Sequence, residues 1–61
     1  MTYEYVTTSL KRGFVHDVIT VTHTGTHTYE FIVIQDAKPQ KMRVTDVISL
    51  DCHVRCSCHH Q

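Results

Sequence analysis

The chain has 61 residues, 41% apolar and 20% charged, and six Lys plus Arg balance six Asp plus Glu for a formal charge of zero. This length holds one domain, and the balance excludes both a nucleic-acid binder that works through a broad basic field and an acidic mimic of DNA. No run of about 18 apolar residues exists to cross a membrane as a helix. Leu, Ile, Val and Phe number 16 of the 61, above the roughly one-fifth below which chains tend to stay disordered. The first residues, Met1-Thr2-Tyr3-Glu4-Tyr5, lack the basic start and apolar run of a secretory signal, so a cytoplasmic location is expected. A domain this small buries only about 60% of the surface its unfolded chain exposes. That suits a binding surface better than an internal catalytic cavity.

Threonine, with nine residues, and valine, with eight, dominate the chain, and both favour pleated surfaces over helices. The pattern predicts strands over about residues 2–10, 14–23, 27–35 and 41–50, and a short fifth strand or a tail from Cys52 onward. In the first, Tyr3, Tyr5 and Thr7 face one way, and Val6 and Leu10 share the other side. Lys11-Arg12-Gly13 reads as the following turn, with Gly13 free to take positive φ. In the second, Val15, Ile19 and Val21 share one face and Phe14 and Val18 the other, so burial is expected on parts of both sides. The third, Tyr29-Glu30-Phe31-Ile32-Val33-Ile34, ends in an apolar run that marks a central strand or a tightly curved barrel. Asp36-Ala37-Lys38-Pro39-Gln40 reads as a turn. In the fourth, Met42 and Val44 point inward and Arg43 outward until Thr45-Asp46 interrupts. The apolar phase then slips before Val47, Ile48 and Leu50, which signals a bulge or a short 3₁₀ turn. Val44, Val47, Ile48 and Cys52 also fit helical spacing, but the segment is rich in β-branched residues and no capping box precedes it. Short turns every ten residues or so make an antiparallel meander. The expected fold is all-β: a small five-stranded SH3-like or Sm-like barrel over residues 1–52, closed so that little sheet edge is exposed. Residues 53–61 follow as a Cys/His-rich C-terminal strand or tail.

Three landmarks lie in order: Leu10-Lys11-Arg12-Gly13 as strand end and turn, Tyr29-Glu30-Phe31-Ile32-Val33-Ile34 as apolar strand, and Lys41-Met42-Arg43-Val44-Thr45-Asp46-Val47-Ile48-Ser49-Leu50 as strand, kink and short strand. Over residues 9–51 this order resembles the small Sm-like barrels of the Rho-binding antiterminator family. The resemblance implies a barrel that binds a protein partner, in that family the transcription terminator Rho, and blocks its contact with RNA, largely through acidic surface. The chain departs from the family in being neutral, with Glu4, Asp17, Glu30, Asp36, Asp46 and Asp51 spread along it. No functional residue is carried over.

Two places can carry metal chemistry. His23-Thr24-Gly25-Thr26-His27 is symmetric about Gly25. A three-residue loop there would set His23 and His27 opposite each other with Cβ atoms about 5 Å apart, close enough to share an ion or, when protonated, a phosphate. The alternative is an exposed polar turn. The tail Cys52-His53-Val54-Arg55-Cys56-Ser57-Cys58-His59-His60 holds all three cysteines and three of the six histidines. In an extended strand Cys56 and Cys58 share a face and can converge on one ion, with His59 or His60 joining after a turn. Cys52 is too far along the strand to join them. The spacing is not that of an established zinc motif, and the thiols would favour zinc or Cu(I) over harder ions. Otherwise Cys52 packs as a small hydrophobe or joins an intramolecular bridge, and the terminal His-His-Gln is a loose end. No cofactor is otherwise expected.

A Cys–His nucleophile pair drawn from Cys56 or Cys58 with His23, His27 or His53 lacks any orienting group of recognised signature, so no enzyme activity is expected. Base stacking is the remaining chemistry: Tyr3 and Tyr5 share a face, and Lys11, Arg12, Lys41 and Arg43 supply cations. The expected function is that of a small regulatory protein-interaction module that acts on a transcription or RNA-processing factor, with a homodimer as the expected assembly. Metal binding by the tail and RNA or single-stranded DNA binding through the tyrosines are the alternatives.

Overall fold

The computed structural model describes residues 1–54. Within them lie β1 (Thr2–Thr7), β2 (Arg12–Val15), β3 (Val18–Gly25), β4 (Thr28–Gln35), β5 (Lys38–Val44) and β6 (Val47–Val54). All pairings are antiparallel, in two three-stranded sheets of order β2-β1-β6 and β3-β4-β5. The all-β class expected from composition is what forms. The five-stranded closed barrel is not: the described ladders make six strands in two sheets, with no ladder between the sheets. The helical option over Val44 to Cys52 is likewise replaced by the end of β5 and β6.

The difference arises at two corners. The segment read as one strand over 14–23 bends at His16-Asp17, and the chain passes from one sheet to the other there; Thr45-Asp46 does the same between β5 and β6. Asp17 (φ 57°) and Asp46 (φ 60°) adopt the left-handed conformation, which Asp tolerates better than most residues. Each corner is pinned on both sides. The Val18 N–H donates to the Met1 carbonyl at 2.8 Å and the Asp17 carbonyl accepts from the Ile34 N–H at 3.0 Å. The Val47 N–H donates to the His27 carbonyl at 2.8 Å and the Asp46 carbonyl accepts from the Thr8 N–H at 2.8 Å.

These matched bonds belong to an internal two-fold repeat. Thr2-Tyr3-Glu4-Tyr5-Val6 is echoed by Thr28-Tyr29-Glu30-Phe31-Ile32, and Val15-His16-Asp17-Val18-Ile19-Thr20 by Val44-Thr45-Asp46-Val47-Ile48-Ser49. The ladders obey the same exchange. Tyr3 pairs with Val15 and Cys52, and Tyr29 with Val44 and His23. The register slips before Thr7 in β1 and past Val18 in β3, so that Ile48 and Ile19 are the extra residues of equivalent bulges. β1 and β4 are thus equivalent central strands. β3 of the first half completes the second half's sheet, and β6 of the second half completes the first half's.

The core lies between the sheets. Val15, Val18, Phe31, Val33 and Val47 are buried, and Tyr3, Tyr5, Val21, Tyr29, Val44 and Leu50 pack around the main cluster. Four repeat-related pairs therefore line it: Tyr3 with Tyr29, Tyr5 with Phe31, Val15 with Val44 and Val18 with Val47. Phe31 is fully buried, and Tyr3 meets its ring from the other sheet at 5.8 Å between centroids.

Gly13 corrects the turn reading. It sits inside β2 opposite Tyr5 with no positive φ, and the turn lies earlier, ending at Leu10 (φ 63°). The Tyr5 phenol lies over Gly13 and fills the space a Cβ would take. The second hairpin turns on Asp36 (φ 54°) and Ala37 (φ 62°). Two successive left-handed residues make the mirror-image turn that matches strand twist. Lys38, Pro39 and Gln40, read as turn, belong to β5, where proline and lysine suit an edge strand.

Candidate interaction face

Alternation along β1 turns Tyr3 and Tyr5 toward the core and Thr2, Glu4 and Val6 outward. Directly paired residues share a face, so Phe14 and Asp51 flank Glu4, and Arg12 and Ser49 flank Val6. On this outer face the Glu4 carboxylate, with a side chain only 17% exposed, is held from two sides. Arg12 Nε donates to Oε2 at 2.7 Å and His53 Nε2 donates to Oε1 at 2.7 Å. His53 is the extra residue of the bulge that puts Thr2 opposite Val54 and Tyr3 opposite Cys52. The bulge aims its ring inward along the face, edge-on to Phe14 at 5.9 Å. Phe14 stacks flat on His16, with 6.2 Å between centroids and 4° between planes, and His16 Nδ1 lies 3.4 Å from Thr2 Oγ1. Phe14 remains 49% exposed. The result is an open aromatic plane framed by two imidazoles and a guanidinium, with the Glu4 carboxylate already paired and the exposed Asp51 beside it.

The repeat provides an internal control. The outer face of the β3-β4-β5 sheet keeps an acid–base pair, Glu30 with Arg43 at 3.6 Å, and Lys41 stands where Arg12 does. At the positions of Phe14, His16 and His53, however, it carries Arg43, Thr45 and Thr24. The four core pairs named above stay apolar or aromatic in both halves, with Thr7 standing where Val33 does, while the outer faces differ, so the aromatic–imidazole cluster is not required by the fold.

The residues named from sequence fall elsewhere. Tyr3 and Tyr5 do share a face, but it is the inner one, which removes them as an open stacking platform. Arg12 lies on the outer face of one sheet, Lys41 and Arg43 on that of the other, and Lys11 between the first turn and β2. They form no common basic surface. His23 and His27 are not opposite each other: the reversal is the two-residue turn Thr26-His27, and His23 pairs with Tyr29. His23 stacks on Tyr29 at 4.6 Å and 8°, and its Nε2 donates to the Thr26 carbonyl at 3.2 Å. Among the described residues no group of three or more His, Cys, Asp or Glu is placed to hold a metal. Cys56, Cys58, His59 and His60 lie outside the described residues. Cys52 is half-buried opposite Tyr3 and is disulfide-bonded, which selects the bridge over the simple packing role.

Sequence reasoning missed Glu4, Phe14 and His16 as a unit and met His53 only as one of the tail's potential ligands and as a partner for a cysteine nucleophile. The signal that finds them is the repeat, since aligning the halves exposes where they diverge. No protein-family model, curated protein or solved structure matches the chain.

Proposed function

We propose that the protein is a small non-catalytic interaction module that binds a protein partner through the outer face of the β2-β1-β6 sheet, with Phe14 as its anchor. The observation that carries this reading is a half-exposed phenylalanine on a sheet face, built into a cluster that the equivalent face lacks. Exposed aromatics with a polar rim are the usual centres of binding energy at protein interfaces. Arg12 meets Glu4 through Nε while its side chain stays largely exposed, so its guanidinium is open to a carboxylate of the partner as well. The fitting partner segment thus sets an apolar side chain on Phe14 beside an acidic one at Arg12. A transcription or RNA-processing factor, the partner class implied by the resemblance to the Rho-binding family, is the natural first protein to test.

A flat Phe14–His16 stack beside Arg12 is also a geometry on which a base can stack, so the experiment must separate the two. Peptides selected from a random displayed library on the wild-type protein are titrated against wild type and Phe14→Ala, alongside oligo-dT and oligo-rU. The proposal expects selected peptides rich in acidic–apolar pairs, with affinity reduced at least about tenfold by Phe14→Ala, a truncation cost of 1.4 kcal/mol or more. Oligonucleotide binding that weakens with salt and is lost in Phe14→Ala would instead make the face a nucleic-acid platform.

A further inference from the structure

We infer that two copies of this chain assemble by exchanging halves, the first half of one chain completing its sheets with the second half of the other. In the monomer neither half owns a complete sheet. The β1-β2 hairpin takes its third strand, β6, from the second half, and the β4-β5 hairpin takes β3 from the first. The corner bonds also cross between halves: Thr8 N–H to the Asp46 carbonyl, Ile34 N–H to the Asp17 carbonyl, and Val47 N–H to the His27 carbonyl at the junction. The two halves join covalently only through the two-residue turn Thr26-His27, between Gly25 and Thr28. Straightening that turn releases one half from the other, and a second copy can restore every ladder and the Thr8–Asp46 and Ile34–Asp17 bonds in the same register, leaving only the bond to the His27 carbonyl to move with the turn. Only the turn changes, which is the condition under which strand exchange costs least. The occupant is therefore a second copy of this chain, and the surface it covers is the inter-half boundary rather than the Phe14 face.

The test uses two full-length variants. Val18 and Val47 are equivalent, buried residues, 4% and 3% exposed, one in each half. Val18→Asp disables the first half and Val47→Asp the second, because an unpaired carboxylate is not tolerated in the core. Each variant alone should lose its cooperative far-UV melt. Mixed in denaturant and refolded together at high concentration, they should recover up to half the wild-type melting amplitude, since one of the two exchanged units then joins two intact halves. Native mass spectrometry should show one copy of each variant per complex. Reductant is kept throughout, with wild type in the same buffer as reference, so that no thiol cross-link counts as exchange. A mixture that behaves as the sum of its unfolded parts overturns the inference. So does cooperative melting of either variant alone, because its halves would then not depend on each other.

Discussion

Gly13→Ala isolates one contact that shapes the first sheet. A Cβ built on Gly13 would overlap Cζ and Oη of Tyr5 and stand 2.8 Å from its Cε2. Gly13 has no positive φ, so alanine suits its backbone, and in an open strand the change would stabilise by about 0.5–1 kcal/mol. Here the phenol must swing off the strand. A tyrosine covers about 150–250 Å². Losing roughly half of that at about 25 cal/mol per Å² costs about 2–3 kcal/mol. The net expectation is a loss of about 1–2 kcal/mol, read as a fall in Tm of about 10 °C in a domain this small. Thermal melts followed by far-UV circular dichroism measure it, and the same substitution in a Tyr5→Ala background decides the cause. With the ring gone, Gly13→Ala should become neutral or stabilising. If it destabilises equally in both backgrounds, the ring contact is not what keeps glycine there.

Three other outcomes follow from the same geometry. Ala37 holds φ 62°, so Ala37→Gly should stabilise the second hairpin by about 1 kcal/mol, seen as a raised denaturant midpoint at unchanged slope. Glu4→Gln removes the charge between Arg12 and His53; because both partners are largely solvated, the loss should be no more than about 1 kcal/mol and should shrink with added salt. Opening the chain between Thr26 and His27 while joining Gln61 to Met1 should leave the sheet spectrum intact and cost no more than about 2 kcal/mol, because Thr2 already pairs with Val54 and no ladder is cut.

Much of the fold was legible because β-branched alternation is a local property. The apolar central strand over Tyr29 to Ile34 and the break at Thr45-Asp46 follow from residue pattern alone. The corner at His16-Asp17 was not legible, since Val15, Val18 and Ile19 read as one continuous strand and the left-handed state of Asp17 is selected by the Met1 and Ile34 bonds on either side of it. Gly13 misled because its role depends on Tyr5, a residue on the neighbouring strand. The candidate face was hidden for a related reason. Glu4, Arg12, Phe14, His16 and His53 are scattered in sequence, and only the pairing of β1 with both β2 and β6 brings them together. The repeat was visible in Thr-Tyr-Glu and Val-x-Asp-Val-Ile, yet its two segments recur at spacings of 26 and 29 residues, a three-residue difference that hides a simple period.

The central claim is that binding occurs on the outer face of β2-β1-β6, and amide chemical-shift mapping with a library-selected peptide tests it most directly. The account predicts the largest shifts at Thr2, Glu4, Arg12, Phe14, His16, Asp51 and His53, with Thr20, Thr22, Glu30, Lys41 and Arg43 unmoved. Shifts concentrated on the β3-β4-β5 face, or a peptide that binds Phe14→Ala as tightly as wild type, would contradict it.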